Sequence, residues 1–551
     1  MVAFLVGLVA IFVAVLVLER LVKPRRQDTP MMLRARLIGT VPLITLYLLF
    51  VMISYRPIFA TLLTITIFLA IVLLNNAKFK ALKEPLVYSD FALLRQAIEH
   101  PQLYVKYIGV HNIILIFVLG AGAIALGFIF EPPMVARDQL VDYLPLFILL
   151  AIGGFVGHML IWGRMRRPLA NFLLGLGPSA DVTADLSKLS LVATLIVYFF
   201  LSREENVPLK EADGPNPESN GNTALPAETE WWRRTKNILR GVERLPSIVA
   251  IQSESFFDAR RLHESIDPSI LAQFDHMVAN SHFHGRLTVP AWGANTMRTE
   301  FSFLTGLANE DLGFNRFNPF LSLAKSPVWT LARAVKMLGY RTVCIHPFYS
   351  TFFARDRVYP ALGFDHFLDI KAFEGAETFG PYISDVEVGE KILEVLGESE
   401  QPAFIFAITM ENHGRWEKNR FENVAGGDQP RYGGELTSLA LEFYLRHLRN
   451  TDAVIGRLTG QLDSPERDTV LCLFGDHLPS MPKLFKKLNY DDDKVDYVIW
   501  RTGGAIPQAR DVSVEGLGSL VMRAVGIDLE DSRPAMLEQS RETGRPMASN
   551  E

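Results

Sequence analysis

The stretch TVLCLFGDH, residues 469–477, decides the fold class of this 551-residue chain. Its first part, Thr469 to Phe474, is a short apolar run bounded by polar residues, which is typical of a strand buried on both faces. Three more stretches have the same form, namely Ser247 to Gln252, Arg341 to Ile345 and Ala403 to Thr409. Strands buried on both faces belong to parallel sheets covered by helices, so we predict an α/β domain in the C-terminal half.

Helical segments separate these strands. Ser326 and Pro327 have the N-cap and first-turn residue types of a helix that Gly339 closes. Ser384 likewise begins a helix, and Glu435 to Leu462 is predicted as a long one. The alternation of strand, helix and strand predicts crossover units, and therefore a mostly parallel sheet with helices on both faces.

Polar side chains that can bind a metal or a phosphate stand where these strands end. They are Glu254, His346, Asn412, His413, Asp476 and His477. The carboxyl ends of parallel strands meet at one edge of the sheet, where the functional groups of such folds collect. A single residue of this kind is more often a cap or turn residue, but the set as a whole predicts a functional site.

Thr296 stands in the stretch VPAWGANTMRTEFSFLTGL, residues 289–307, in which a Gly-Ala-Asn turn precedes an amphipathic helix. Its hydroxyl is expected at the helix N-terminus, where free N–H groups and the helix dipole favour an anion. A Thr hydroxyl is a poor nucleophile near neutral pH, so covalent chemistry requires a metal, with Glu254, Asp476 and His477 as candidate ligands. The alternative interpretation is that Thr296 only caps the helix.

Apolar residues, 49% of the chain, are concentrated in the first 200 or so positions. Crossing about 30 Å of hydrocarbon takes about 20 mostly apolar residues in a helix. Candidate spans are Met1 to Leu18, Leu37 to Ser54, Ile58 to Leu74, Ile113 to Phe130, Tyr143 to Trp162 and, more weakly, Leu189 to Leu201 extended by Leu186.

Lys and Arg residues follow the first, third and fifth spans, which places those loops on the cytoplasmic side. A sixth crossing then exports the C-terminal half, whereas an interfacial helix in its place would leave five spans. We therefore predict a transmembrane bundle of five to six spans over residues 1–202, a flexible Pro-rich and acidic linker over 203–230, and an extracytoplasmic domain over 231–551.

Charge and cysteine content exclude several function classes. The chain has 55 Lys and Arg against 60 Asp and Glu, which gives no cationic field for nucleic-acid binding. Its two cysteines exclude a disulfide scaffold and a Cys-rich zinc site. Cys344 and Cys472 fall within predicted strands, so we expect buried free thiols; a disulfide between neighbouring strands is the less favoured alternative.

Five motifs occur in one order after the apolar region: IQSES, GANTMRTEF, HPFYSTFFARDRVYPALGF, TMENH and FGDH. Together they resemble lipoteichoic acid synthases and periplasmic phosphoglycerol transferases, which belong to the alkaline phosphatase and sulfatase superfamily. The resemblance extends roughly from Pro246 to Pro479, and the preceding bundle is similar in layout only. It implies a sulfatase-like α/β domain outside a bacterial cytoplasmic (inner) membrane, on its periplasmic or extracellular side.

The resemblance also implies site residues. A single divalent metal, usually manganese and otherwise magnesium, would be held by Glu254, the nucleophile Thr296, Asp476 and His477. His346, Arg355 and His413 would contact the phosphate and the glycerol headgroup. Phe353 stands where relatives commonly have a tryptophan, so headgroup selectivity is less well supported than the metal site. Sulfatases instead use a Cys or Ser in a C/S-x-P-x-R context, which is absent around Thr296.

The implied reaction moves glycerol phosphate from phosphatidylglycerol to a hydroxyl of a glycan or glycerol-phosphate polymer. Thr296 would attack the lipid phosphorus, release diacylglycerol and carry the glycerophosphoryl group to the acceptor. One alternative is a phosphoethanolamine transferase or phosphodiesterase of the same superfamily. Another is a catalytically silent membrane protein that binds glycans or lipids, which the presence of all four metal-site residues disfavours.

Overall fold

The computed structural model describes residues 2–24, 32–134, 144–204, 245–323, 329–417, 420–421, 432–464 and 466–527. The chain divides into two compact units, residues 1–205 and 206–551. Almost all of the predicted linker over 203–230 lies outside the described residues.

The first unit is helical. Its helices are α1 (Val2–Leu18), α2 (Leu33–Ser54), α3 (Pro57–Leu82), α4 (Leu94–Glu99), α5 (Pro101–Ile108), α6 (Val110–Phe130), α7 (Leu144–Ile161), α8 (Arg166–Leu174), α9 (Val182–Leu189) and α10 (Leu191–Glu204). Among the described residues, four helices are long and apolar enough to cross a membrane: α1, α2, α3 and α6. A fifth is obtained if α7 and α8, which are bent by 67° relative to each other, count as one broken span. The structure therefore has the apolar N-terminal helices that the sequence predicts.

The sixth predicted crossing is not one long helix. Ser190, with a φ of 86°, separates α9 from α10, and the described part of α10 has 14 residues. At 1.5 Å per residue this helix covers about 21 Å, less than the hydrocarbon thickness of about 30 Å. The length of α10 thus gives no support to a sixth span, and the orientation of the C-terminal half stays a prediction.

The second unit contains a nine-stranded mixed sheet in the order β10-β2-β9-β8-β1-β7-β3-β4, with β11 paired to β2. Its strands are β1 (Ser247–Ser253), β2 (Phe283–Thr288), β3 (Arg341–Ile345), β4 (His366–Leu368), β7 (Ala403–Ile408), β8 (Thr469–Gly475), β9 (Val495–Arg501), β10 (Gln508–Ala509) and β11 (Val512–Ser513). A separate hairpin joins β5 (Thr378–Phe379) and β6 (Tyr382–Ile383).

The four predicted strands form the centre of this sheet. β1 lies between β7 and β8 and is parallel to both, and β3 continues the parallel series beside β7. Among the described strands of this sheet, only β9 runs antiparallel to its neighbours, β8 and β2. The predicted α/β class with a mostly parallel sheet is confirmed.

Helices cover this sheet. They are α11 (Ala272–Ala279), α12 (Thr296–Thr305), α13 (Phe320–Leu323), α14 (Leu331–Met337), α15 (Arg355–Leu362), α16 (Asp385–Gly397), α17 (Leu439–Leu462), α18 (Pro482–Lys487) and α19 (Val514–Val525). The Ser384 hydroxyl accepts a hydrogen bond from the Glu387 N–H, so the predicted start of α16 is confirmed. The long helix α17 begins later than predicted, because Ser438 caps it by accepting from the Leu441 N–H.

The described helix of this segment begins later along the chain than Ser326 and Pro327, where the sequence predicts its start. Helix α14 begins at Leu331, and its N-cap is Thr330, whose hydroxyl accepts from the Arg333 N–H. Ser326 and Pro327 themselves lie outside the described residues. Thr330 is also a residue type that commonly caps helices. The Ser-Pro pair a few residues earlier is the more typical start signal, so the sequence alone favours the earlier position.

Cys344 and Cys472 are buried free thiols, as predicted. Cys344 is on β3 and Cys472 on β8, and strands β7 and β1 lie between them in the sheet. Neighbouring strands are about 4.8 Å apart, so these cysteines are too far apart for a disulfide.

Candidate active site

Glu254, Asp476 and His477 come together beyond the carboxyl ends of β1 and β8. The parallel register places Ser253 opposite Gly475, so the residues that follow the two strands are neighbours. One potential ligand atom from each of the three side chains lies within 4.8 Å of the others. All three side chains are buried, and we call them the acidic cluster.

The acidic cluster is held by backbone groups. Asp476 Oδ1 accepts from the N–H groups of Ser255 and His477, each at 2.8 Å. The Ser255 hydroxyl donates to Glu254 Oε1 at 2.8 Å. Asp476 Oδ2 is buried and, within the described residues, has no hydrogen bond of normal geometry. A buried oxygen in this state can accept a further donor or bind a cation.

His477 presents a lone pair to the two carboxylates. Its Nδ1 lies 3.0 Å from the Leu478 carbonyl oxygen, to which it can only donate. A neutral imidazole with the proton on Nδ1 has its lone pair on Nε2. That Nε2 is 3.3 Å from Asp476 Oδ2 and 3.7 Å from Glu254 Oε1.

Burial makes negative charge costly in the acidic cluster. Desolvation raises the pKa of Glu254 well above its ordinary value, and the neighbouring Asp476 carboxylate raises it further. Desolvation also raises the pKa of Asp476, against the opposing effects of His477, backbone N–H groups and the Thr296 side chain. Two buried carboxylates and an imidazole nitrogen form a donor set that suits a divalent cation. Among the described residues, Asp476 Oδ2 has no hydrogen-bond partner that would compete with such an ion.

Thr296 is the first residue of α12, next to this cluster. The turn before it requires a left-handed residue, and Asn295 supplies it with a φ of 67°. The Thr296 side chain is close enough to lower the pKa of Asp476. One turn along, the Thr299 hydroxyl donates to the Asp476 backbone oxygen at 2.8 Å, which fastens the helix to the end of β8. The structure therefore brings Thr296 and the three candidate ligands together.

Arg355 and His346 lie beside each other in the interior. Arg355 Nη1 is 3.3 Å from His346 Nε2, whose ring is held by the Ile408 carbonyl oxygen at 3.1 Å from Nδ1. The other edge of the guanidinium, Nε and Nη2, donates to the two carboxylate oxygens of Glu300. The phosphate contact expected of Arg355 is therefore not available at that edge, because Glu300 already occupies it.

His413 lies in the loop after β7, near His477. Its Nδ1 donates to the Gly414 carbonyl oxygen at 2.8 Å, which leaves the lone pair on Nε2. Desolvation is the main cause that lowers the pKa of His413 to about 4, against the raising effect of its hydrogen bond to the Gly414 carbonyl oxygen. His413 is therefore neutral near pH 7 and can accept a proton. Asn412, the residue before it, instead accepts from the Trp416 indole N–H at 2.9 Å.

A buried polar network, not predicted from the sequence, supports the loop that carries His413. Arg420 Nη2 donates to the backbone oxygens of Glu411 and His413, at 3.0 and 2.8 Å. Arg420 Nε is 2.6 Å from His447 Nε2, and His447 Nδ1 is 2.9 Å from Glu411 Oε1. Glu300 is the other residue that the sequence did not reveal; its position four residues after Thr296, on the same helix face, was the available signal.

Three features of the second unit occur together: a mostly parallel α/β sheet, a buried and potentially metal-binding cluster beyond the strand ends, and a hydroxyl at the start of the adjoining helix. This combination is that of an enzyme of the alkaline phosphatase and sulfatase type. The chain belongs to the sulfatase family, whose sequence model matches residues 246–527, just over half of the chain.

The chain is also similar to individual proteins, in one case over most of its length. The chain is 29% identical over 457 residues to a capsular polysaccharide biosynthesis protein, RkpI, of Rhizobium meliloti, covering 82% of this chain and 78% of that protein. It is 30% identical over 249 residues to a putative cyclic β-1,2-glucan modification protein of the same organism, and this match covers 44% of this chain and 37% of that protein. Among solved structures, it is similar to the Streptococcus pyogenes phosphoglycerol transferase GacH in complex with sn-glycerol-1-phosphate, with a TM-score of 0.44 and 21% identity. This match covers 53% of this chain and 78% of that chain.

Proposed function

We propose that this protein is a membrane-anchored phosphoglycerol transferase that moves glycerol phosphate from phosphatidylglycerol to a hydroxyl of a glycan or glycerol-phosphate polymer outside the cytoplasm. One observation carries the proposal: the Thr296 hydroxyl stands at the start of α12 beside Glu254, Asp476 and His477. A helix N-terminus stabilises negative charge at this hydroxyl and on a phosphoryl group bound there. The apolar helices of the first unit suit a lipid donor.

The chain's own residues account for both halves of the exchange. Thr296 Oγ forms a bond to phosphorus while the bond from phosphorus to the diacylglycerol oxygen breaks; the threonine loses a proton and diacylglycerol gains one. An acceptor hydroxyl then attacks the same phosphorus, Thr296 Oγ leaves and recovers a proton, and the acceptor loses one. His413, neutral and with its lone pair on Nε2, is positioned to take the acceptor proton.

Glu254, Thr296, Asp476 and His477 would hold one divalent metal, manganese first and magnesium second. When bound, such an ion supplies positive charge that favours the alkoxide of Thr296 and the developing charge on the phosphoryl oxygens. The unpaired Asp476 Oδ2 and the lone pair on His477 Nε2 support this assignment.

The names of the two relatives support a glycan acceptor. Capsular polysaccharide and cyclic glucan both present many hydroxyl groups in the cell envelope. This is also the compartment that the charge pattern of the membrane loops predicts for the second unit.

The test uses purified full-length protein in phospholipid nanodiscs with phosphatidylglycerol labelled in its glycerol headgroup. We expect diacylglycerol to appear with manganese present and the label to move to added capsular polysaccharide or cyclic glucan. A parallel reaction contains phosphatidylethanolamine labelled in ethanolamine. Transfer of the ethanolamine label alone would replace the proposal by a phosphoethanolamine transferase, and label found only in free glycerol phosphate would indicate a phosphodiesterase.

A further inference from the structure

A cleft of about 430 Å³ opens between α2, α3 and α6 in the helical unit. It lies where α2 ends, α3 begins and α6 ends. Its walls are apolar and aromatic, and include Phe50, Ile53, Phe59, Leu63 and Phe128. This volume lies within the range of small-molecule sites in proteins, about 300–1,000 Å³.

Arg56, in the turn between α2 and α3, is the charged residue on the lining of this cleft. The described hydrogen bonds of its guanidinium group all come from one nitrogen, Nη1, which donates to the backbone oxygens of Gly127, Phe128 and Glu131. The guanidinium carbon lies 4.7 Å from the centre of the Phe128 ring. Within the described part of the chain, Nε and Nη2 have no acceptor.

The nearby acid does not neutralise Arg56. The Glu131 carboxylate accepts from the backbone N–H groups of Ile58 and Phe59, at 2.8 and 2.9 Å, and so caps the start of α3. No ion pair joins the two side chains among the described residues. Arg56 therefore brings a positive charge with two vacant donors to the rim of an apolar cleft, in a helical unit built to cross a membrane.

We propose that this cleft binds one anionic phospholipid, with the phosphate at Arg56 Nε and Nη2 and an acyl chain along Phe50, Phe59, Leu63 and Phe128. Guanidinium nitrogens form strong charge-assisted hydrogen bonds with phosphate oxygens. The aromatic walls suit a hydrocarbon chain, and a zwitterionic lipid gains less at the same place because its own cation competes. In the predicted orientation this end of the bundle faces outward. The proposal concerns binding and does not depend on the transferase reaction.

The test measures lipid binding by the full-length protein in neutral detergent, using native mass spectrometry with titrated phosphatidylglycerol and phosphatidylcholine. We expect the wild type to prefer phosphatidylglycerol. Removing one cation near a lipid phosphate removes about 1 kcal/mol, so Arg56→Gln should reduce this preference about fivefold. Arg56→Lys, which keeps the charge but not the fork, should retain most of it. The control Arg95→Gln removes an exposed arginine that pairs with Glu99 within α4, outside the lining of the cleft, and should change nothing.

A second variant tests the cleft without changing charge. Leu63→Trp fills the cleft and should weaken binding of both lipids, whereas Leu69→Trp, on the same helix but outside the lining, should not. Equal binding of the two lipids by the wild type, or an unchanged preference in Arg56→Gln with an unchanged melting temperature, would overturn the proposal. If Arg56→Gln fails to fold, normal lipid binding by Leu63→Trp would overturn it equally.

Discussion

Arg355 Nε lies 3.1 Å from Glu300 Oε2, and the two side chains are 2% and 0% exposed. The Tyr359 hydroxyl donates to the same Glu300 oxygen at 2.6 Å. Glu300 is on α12, which Thr296 begins, and Arg355 begins α15. This ion pair therefore connects the helix of the proposed nucleophile to the helix of the proposed phosphate-binding arginine.

Replacing Glu300 by Gln should destabilise the protein strongly. It leaves Arg355 charged and buried without its partner, which typically costs about 3–5 kcal/mol of unfolding free energy. Denaturant unfolding of the second unit measures this cost. Glu394→Gln is the matched control, because the pair of Glu394 with Lys391 is exposed on the Glu394 side and should be worth less than about 1 kcal/mol. Equal losses of unfolding free energy in the two variants would mean that the buried pair stabilises the protein no more than the exposed pair does.

Removing the Thr296 hydroxyl should stop diacylglycerol release. Loss of a nucleophile that acts together with its neighbours lowers the rate by at least about 10⁴-fold, whereas Thr296→Ser keeps a hydroxyl and should retain measurable turnover. Thr305→Ala, at the other end of α12, removes a hydroxyl that bonds the Phe301 carbonyl oxygen and should leave the rate nearly unchanged. Turnover by Thr296→Ala would rule out a threonine-linked intermediate.

Manganese should raise the thermal stability of the chelated protein, because a cation relieves the repulsion between the buried carboxylates of Glu254 and Asp476. At a metal concentration of about 100 times Kd the expected gain is about 2.7 kcal/mol. Asp476→Asn should lose this response while becoming more stable than the wild type in chelator, since one buried charge is gone. Differential scanning fluorimetry with and without manganese measures both effects. A wild type that melts at the same temperature in either condition would contradict the metal site.

Stability should fall as pH rises through about 6 because of Asp385. Burial raises its pKa in the folded protein to about 6, whereas the unfolded value is about 3.9. The folded state therefore holds the extra proton between these values, and the stabilisation present below pH 4 is lost by pH 7, by roughly 2–3 kcal/mol. Asp385→Asn should remove this part of the pH dependence while still accepting from the Thr451 hydroxyl. Unfolding curves at pH 4.5 and 7.5 measure the difference, and parallel pH profiles for the two proteins would be the contrary result.

The predicted membrane orientation places residues after Trp231 outside the cytoplasm. An alkaline phosphatase fused after Trp231 should be active in intact cells, since this reporter folds only when exported. The same reporter fused after Lys83, in a predicted cytoplasmic loop, should be inactive. Activity of the second fusion and not the first would reverse the topology, whereas the same result for both fusions would mean an even number of crossings between them and would exclude a crossing by α10.

The central strands and their end residues could be predicted because each strand is a continuous apolar run, and parallel register brings the ends together. Strand β9 is equally buried but was missed. Its Asp496 interrupts the apolar pattern, and only the fold shows that Arg261 neutralises it at 2.6 Å. Glu300 was missed for the same reason: a carboxylate on the inward face of a helix looks like a solvent-facing residue until its partner, distant in sequence, is known.

The polar network under His413 was equally beyond prediction. Glu411 and His447 are 36 residues apart in sequence and meet only because α17 packs beside the loop that follows β7. Local patterns report hydrophobic burial and helix ends, whereas buried hydrogen bonds between distant segments have no periodic signal in one sequence. For Glu300, the four-residue spacing from Thr296 on the same helix was the local sequence signal of a position near the site.

The hydrogen bond from the Ser255 N–H to Asp476 joins residues 221 positions apart. During synthesis the Glu254 carboxylate therefore emerges long before the Asp476 carboxylate, and the two meet only when β8 pairs with β1. The complete cluster can form only after nearly the whole second unit has been synthesised and has folded. The order of the chain thus keeps the candidate site incomplete until late in synthesis.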